Sequence, residues 1–144
     1  MRMVGAICAL TIILSVIAHG YKAVVQDNSG KIVGTWNSLN EINGAPQVVL
    51  EIKRTGKQYG GKFVFRGLTV NGKEDVTVEL QITNASFEGN TFSFRAMFPE
   101  PEKKVTDWRL NLHSDDEADF EITREEDKPV ENSISFVMKR SRTR

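Results

Sequence analysis

Residues 31–38 read KIVGTWNS. The Gly34-Thr35-Trp36 step within them is either the opening strand of a small up-and-down barrel or a tryptophan placed in an ordinary sheet. The residues that follow decide between these. From Ile32 onward apolar side chains recur with period two, the pattern of strands that bury one face. Val48, Leu50 and Ile52 alternate with Val49, Glu51 and Lys53; Phe63 and Phe65 alternate with Lys62, Val64 and Arg66. Val76, Val78, Leu80 and Ile82 form the next inward set, then Phe92, Phe94, Ala96 and Phe98. Trp108, Leu110 and Leu112, then Ala118, Phe120 and Ile122, and finally Ile134, Phe136 and Met138 complete the series.

Turn formers separate the runs: Asn43-Gly44, Thr55-Gly56, Asn71-Gly72, Glu88-Gly89-Asn90, Pro99-Glu100-Pro101 and Asp127-Lys128-Pro129. Short connections of this kind join sequential neighbours as hairpins. No apolar 3.6-residue period long enough for a sizeable helix follows the first twenty residues. The sequence therefore predicts an all-β, antiparallel meander of about eight or nine strands. A closed up-and-down barrel and a two-sheet sandwich both satisfy that pattern. The barrel is preferred, because sandwiches need long crossovers and a one-sided meander removes its edges by closing.

The chain opens MRMVGAICALTIILSVIAHGY. One arginine precedes an uncharged, mostly apolar run from Met3 to Ala18, and Ala18-His19-Gly20 supplies small residues before Tyr21. This order predicts a secretory signal peptide over residues 1–20, cleaved between Gly20 and Tyr21. The run is short of the ~20 residues that a spanning helix prefers; an uncleaved N-terminal membrane anchor is the alternative. Residues 21–31 then form an N-terminal extension, 32–140 the barrel, and 141–144 a basic tail.

Removing residues 1–20 from the 144 leaves 124, enough for one domain with one core. It also removes Arg2, so 18 basic residues face 19 acidic ones. That balance argues against nucleic acid as a partner, which calls for a basic excess on one face. Cys8, the single cysteine, lies in the leader, so no intramolecular disulfide is available beyond it. Export without disulfides points to a periplasmic or secreted bacterial protein.

The start and end of the strand series carry a resemblance. Gly34-Thr35-Trp36 opens it, and ISFVMKRSR (134–142) closes it, with Arg140 on the parity of Phe136 and Met138. LEIKRTGKQYGGKFVF (50–65) and FEGNTFSF (87–94) lie between. The chain resembles the calycins, the group of lipocalins, avidins and fatty-acid-binding proteins, and small lipocalin-like bacterial proteins in particular. In that group a Gly-x-Trp opens the first strand, and a basic residue of the last strand packs across the tryptophan at the closed end. The resemblance covers about Ile32 to Arg140. It implies a structural role for Trp36 and Arg140, with Lys139 the alternative, and a barrel that holds a small molecule. No helix follows the barrel pattern, and Leu39–Pro46 is too short for a two-helix lid.

Candidate sites divide by chemistry. Catalysis has little to work with: His113 in NLHSDDE is the one histidine outside the leader, and no thiol or phosphate-cradling glycine loop accompanies it. Asp115, Glu117, Asp119 and Glu121 recur at period two, but carboxylates two apart on a strand point in parallel and do not converge on a metal. Neither a metal nor a cofactor is expected. The tail KRSRTR is read as solubilising, lying against the acidic 115–127 stretch, or as a contact for an anionic partner. Asn84-Ala85-Ser86 is a glycosylation sequon, relevant only in a eukaryotic secretory route.

The interior remains. Phe63, Phe65, Phe92, Phe94, Trp108, Phe120 and Phe136 share the expected inner face and are the candidate ligand-binding residues. An eight-stranded barrel has room either for its own side chains or for one small ligand. The functional expectation is an exported, non-enzymatic barrel that binds a small apolar or amphipathic molecule, with no membrane partner after cleavage. The alternative is a filled barrel acting through its outer surface as an inhibitor or envelope-interaction module.

Overall fold

A computed structural model describes residues 28–70, 72–100 and 103–142. The expected signal peptide over residues 1–20, its expected Gly20–Tyr21 junction, most of the 21–31 extension and the last two tail residues lie outside the described residues. A 3₁₀ turn at Ser29–Lys31 leads into twelve strands. They are β1 (Gly34–Ser38), β2 (Glu41–Ile42), β3 (Ala45–Pro46), β4 (Val48–Thr55), β5 (Gln58–Val70) and β6 (Lys73–Gln81), followed by β7 (Thr83–Glu88), β8 (Thr91–Met97), β9 (Val105–Leu112), β10 (Glu117–Glu125), β11 (Lys128–Pro129) and β12 (Ser135–Arg140).

Pairing is antiparallel throughout and closes on itself: β1–β4–β5–β6/β7–β8–β9–β10–β12 and back to β1. β6 and β7 are one wall strand broken at Ile82, whose N–H still reaches the Gly61 carbonyl at 2.9 Å. The result is an eight-stranded up-and-down barrel, compatible with a calycin-like fold. β2 and β3 form a small separate hairpin turned at Asn43-Gly44, both with positive φ. The turn expected at Asp127-Lys128-Pro129 falls one residue earlier, on Glu126 and Asp127 (φ 50° and 60°), and Lys128-Pro129 makes the short β11.

The alternation places the expected side chains inside. Trp36, Val48, Leu50, Phe63, Phe92, Ala96, Leu110, Ala118, Phe120 and Met138 are fully buried. Ile134 differs: it precedes β12 and is 58 % exposed. Within the interior, Phe63 meets Phe94, Trp108 and Phe120 edge-on at 5.9, 5.1 and 5.9 Å. Trp108 and Phe94 stack on Phe120 at 4.8 and 6.0 Å. Each such pair adds roughly 0.5–1.5 kcal/mol beyond the area it buries.

One end of the barrel is sealed around Trp36. Its Nε1 donates to the Ile32 carbonyl at 3.0 Å, which fixes the approach from the 3₁₀ turn. The Arg140 guanidinium lies over the indole, 5.1 Å from the ring centroid. It donates to the carbonyls of Val33, at 3.0 Å, and of Lys31. Arg140 is therefore the basic residue at the seal, while Lys139 points outward to Glu117 at 3.4 Å. Gly34 has φ +137°, and a Cβ there would stand 3.7 Å from Arg140 Nε. Glycine at this position permits the backbone turn that puts the guanidinium over the ring.

Gly61 answers a tighter constraint. It pairs with Ile52 across β4–β5, has φ +130°, and a Cβ would fall 1.8 Å from the Glu51 carbonyl oxygen. Its neighbour Gly60 has no atom within 4 Å of such a Cβ. Gly61→Ala is expected to cost more than about 3 kcal/mol in urea unfolding, and Gly60→Ala about 1 kcal/mol or less. Arg140→Ala is expected to cost about 2–4 kcal/mol, from the lost cation–π contact and two carbonyls left without their donor. Equal costs at Gly60 and Gly61 would contradict the β4–β5 register.

Candidate functional site

The end opposite Trp36 is open, and a cavity of about 200 Å³ sits there. Phe65, Leu68 and Thr69 of β5 form one side of it, and Lys104, Thr106 and Trp108, in and just before β9, form another. Ile122 and Glu125 of β10, with Phe98 and Ile134 from the connecting segments, complete the lining. Of the residues singled out from sequence, Phe65 and Trp108 line this cavity. Phe136 packs edge-on against Phe65 at 5.6 Å. Phe63, Phe92, Phe94 and Phe120 belong to the packed interior, where they touch one another and Trp108.

Two polar groups reach the cavity wall from within, and both are satisfied. Trp108 Nε1 donates to Thr106 Oγ1 at 2.8 Å, and that hydroxyl donates to the Ala96 carbonyl at 3.2 Å. Thr106 is 2 % exposed, so this chain of bonds removes the cost of burying a hydroxyl and locks the indole orientation. At the rim Lys104 Nζ meets Glu125 Oε1 at 2.6 Å, both side chains nearly half exposed.

Leu68 escapes the sequence pattern for a physical reason. The β5–β6 register shifts between Phe65 and Leu68, at Gly67 with φ +77°, so inward parity passes from odd to even residues. A similar shift between Ile122 and Arg124 ends the regular alternation on β10. Thr106, by contrast, stands two residues before Trp108, and its parity alone marks it as inward.

The remaining candidates lie on the outer wall. His113 Nε2 is 2.7 Å from Asp119 Oδ2, with both side chains about half exposed. Asp115 faces Lys31 at 3.7 Å, Glu117 faces Lys139, and Glu121 faces Arg109 at 2.5 Å. Each carboxylate of the period-two series thus meets a different base. Among the described residues no three His, Cys, Asp or Glu side chains are grouped to hold a metal. Arg142 of the tail pairs with Asp116, inside the acidic stretch. Asn84 is exposed on β7 with φ 48°.

A larger depression, about 590 Å³, lies across the outside of β8, β9 and β10. It is open and polar, and its central charges are paired. Arg95 holds Asp107 through two bonds of 2.8 and 3.1 Å and reaches Asp127 at 2.9 Å. The half-open, mostly apolar cavity at the mouth is the better ligand site despite its smaller volume.

The Arg95 hydrogen bond, helped by the charges of Arg95 and Arg124, holds the Asp107 carboxyl below its ordinary value of 3.8 against the opposing effect of burial. The folded chain therefore binds fewer protons at Asp107 than the unfolded chain does. The resulting stability is present above about pH 4 and is lost as pH falls through the lower, folded value. Asp107→Asn is expected to flatten the acid limb of a stability–pH curve and leave its neutral limb parallel to the parent. An unchanged acid limb would show that this pair contributes nothing to acid unfolding.

Comparison with protein-family models, with curated proteins and with solved structures returned no match.

Proposed function

We propose that this chain is an exported, non-enzymatic, lipocalin-like barrel that binds a small apolar or amphipathic molecule in the cavity at its open end. The observation that carries this reading is the cavity itself: about 200 Å³, walled by Phe65, Leu68, Phe98, Trp108, Ile122 and Ile134. The sealed opposite end supports it, since Trp36 and Arg140 leave one mouth for a ligand to use. Ile134, a large apolar side chain 58 % exposed at that mouth, is what a ligand would cover.

A second reading has its own observation. Leu39 and Val137 are 56 % and 40 % exposed, and the Leu39 N–H donates to the Val137 carbonyl at 3.0 Å, so they are neighbours on the outer wall. A protein partner or a second copy would cover that pair.

Native mass spectrometry of the chain, expressed with its own first twenty residues and purified without detergent, separates the two. The ligand reading expects extra mass that is lost on denaturation and is absent from Ile134→Trp, whose indole plugs the mouth from an exposed position. The denatured mass also reports removal of residues 1–20. A bare monomer in both would argue against a resident ligand, and a dimer abolished by Val137→Lys would favour the outer surface.

A further inference from the structure

We infer that the mouth cavity selects a neutral molecule of about one substituted ring and rejects a carboxylate built on the same carbon skeleton. This rests on the ligand-binding reading above and narrows it.

Size comes first. A cavity near 150 Å³ accommodates benzene, so about 200 Å³ accommodates a single ring with a short substituent. A longer chain has no path inward. Behind Phe65 and Trp108 the space is taken by Phe63, 5.1 Å from the Trp108 ring, and by Phe120, stacked on it at 4.8 Å. Phe63 and Phe120 are both fully buried, and admitting an alkyl tail would require one of them to leave its place.

Polarity follows from the hydrogen bonds. The indole N–H of Trp108 is used by Thr106, and the Thr106 hydroxyl proton by Ala96. The cavity floor therefore offers a ligand no donor, and a carboxylate brought there loses its water without replacement; the other hydroxyl of the lining, on Thr69, is exposed and lies outside that floor. The rim does not compensate. Lys104 is matched by Glu125 at 2.6 Å, so an anion approaching the ammonium also approaches a like charge. Nearby, Lys103 is matched by Glu100. A neutral ring loses nothing at either place and gains edge and face contacts with Phe65 and Trp108.

The test is calorimetric titration of the full chain at neutral pH with n-propylbenzene and with 3-phenylpropionate, which share a ring and a three-carbon chain. Propylbenzene is expected to bind at least about tenfold more tightly. Glu125→Gln is expected to narrow that gap to about threefold or less, because one carboxylate facing an incoming anion at the rim is then neutral. Ile134→Trp is expected to abolish binding of both. Equal or tighter binding of phenylpropionate to the parent would overturn the charge selectivity and leave the mouth as the site. A gap unchanged in Glu125→Gln would overturn the role of the rim pair. Binding of neither compound up to the solubility of propylbenzene would overturn the ligand-binding reading itself.

Discussion

The interior of an eight-stranded barrel is wide enough for its own side chains or for one small guest, and seldom for both. In this chain the choice is made by four rings. Phe63 stands edge-on to Phe94, Trp108 and Phe120, and the latter two stack face to face at 4.8 Å. Truncating one such ring to alanine typically costs about 3–5 kcal/mol, so the cluster is not a space that a ligand can borrow. Room for a guest is consequently left only towards the ends of the barrel or on its outside.

The two ends are built differently. At one, Arg140 ties the last strand to the first and to the segment before it, through the Trp36 face and the carbonyls of Lys31 and Val33. The half-buried guanidinium is tolerated there because an aromatic face and two carbonyl oxygens replace part of its water, while its Nε is left without an acceptor. At the other end β5 runs past Phe65 and shifts register, so its upper part and β6 rise beyond the closed wall. The free edge of β6 carries Lys73, Glu74, Asp75 and Glu79, charges that discourage pairing with another chain. The cavity occupies the gap that remains when the aromatic layer stops and the wall continues.

Most of the fold was legible because a strand with one buried face writes its geometry into alternate residues. Val48, Leu50, Phe63, Phe92, Phe94, Leu110, Phe120 and Phe136 all fall where that rule puts them. Closure was legible at its two ends, where the Trp36–Arg140 pairing appears as a direct cross-strand partner. The candidate site was only half legible. Phe65 and Trp108 share the inward parity, but nothing in that parity separates them from Phe63 and Phe120, which lie deeper along the barrel axis. Depth depends on strand tilt and register, which alternation does not encode. Leu68 was hidden by the bulge at Gly67, and Ile134, given the inward parity of Phe136, lies just before its strand and stands exposed at the mouth. The bonding of Trp108 through Thr106 to Ala96 joins two strands, and it becomes visible only once β8 and β9 are paired.

Xenon enters apolar space without hydrogen bonds or charge, so it distinguishes a filled interior from a vacant mouth. In crystals of the chain pressurised with the gas, one xenon position is expected at the mouth, bounded by Phe65, Leu68, Trp108 and Ile122, and none among Phe63, Phe94 and Phe120. Xenon within that inner aromatic layer, or an unoccupied mouth, would contradict that division.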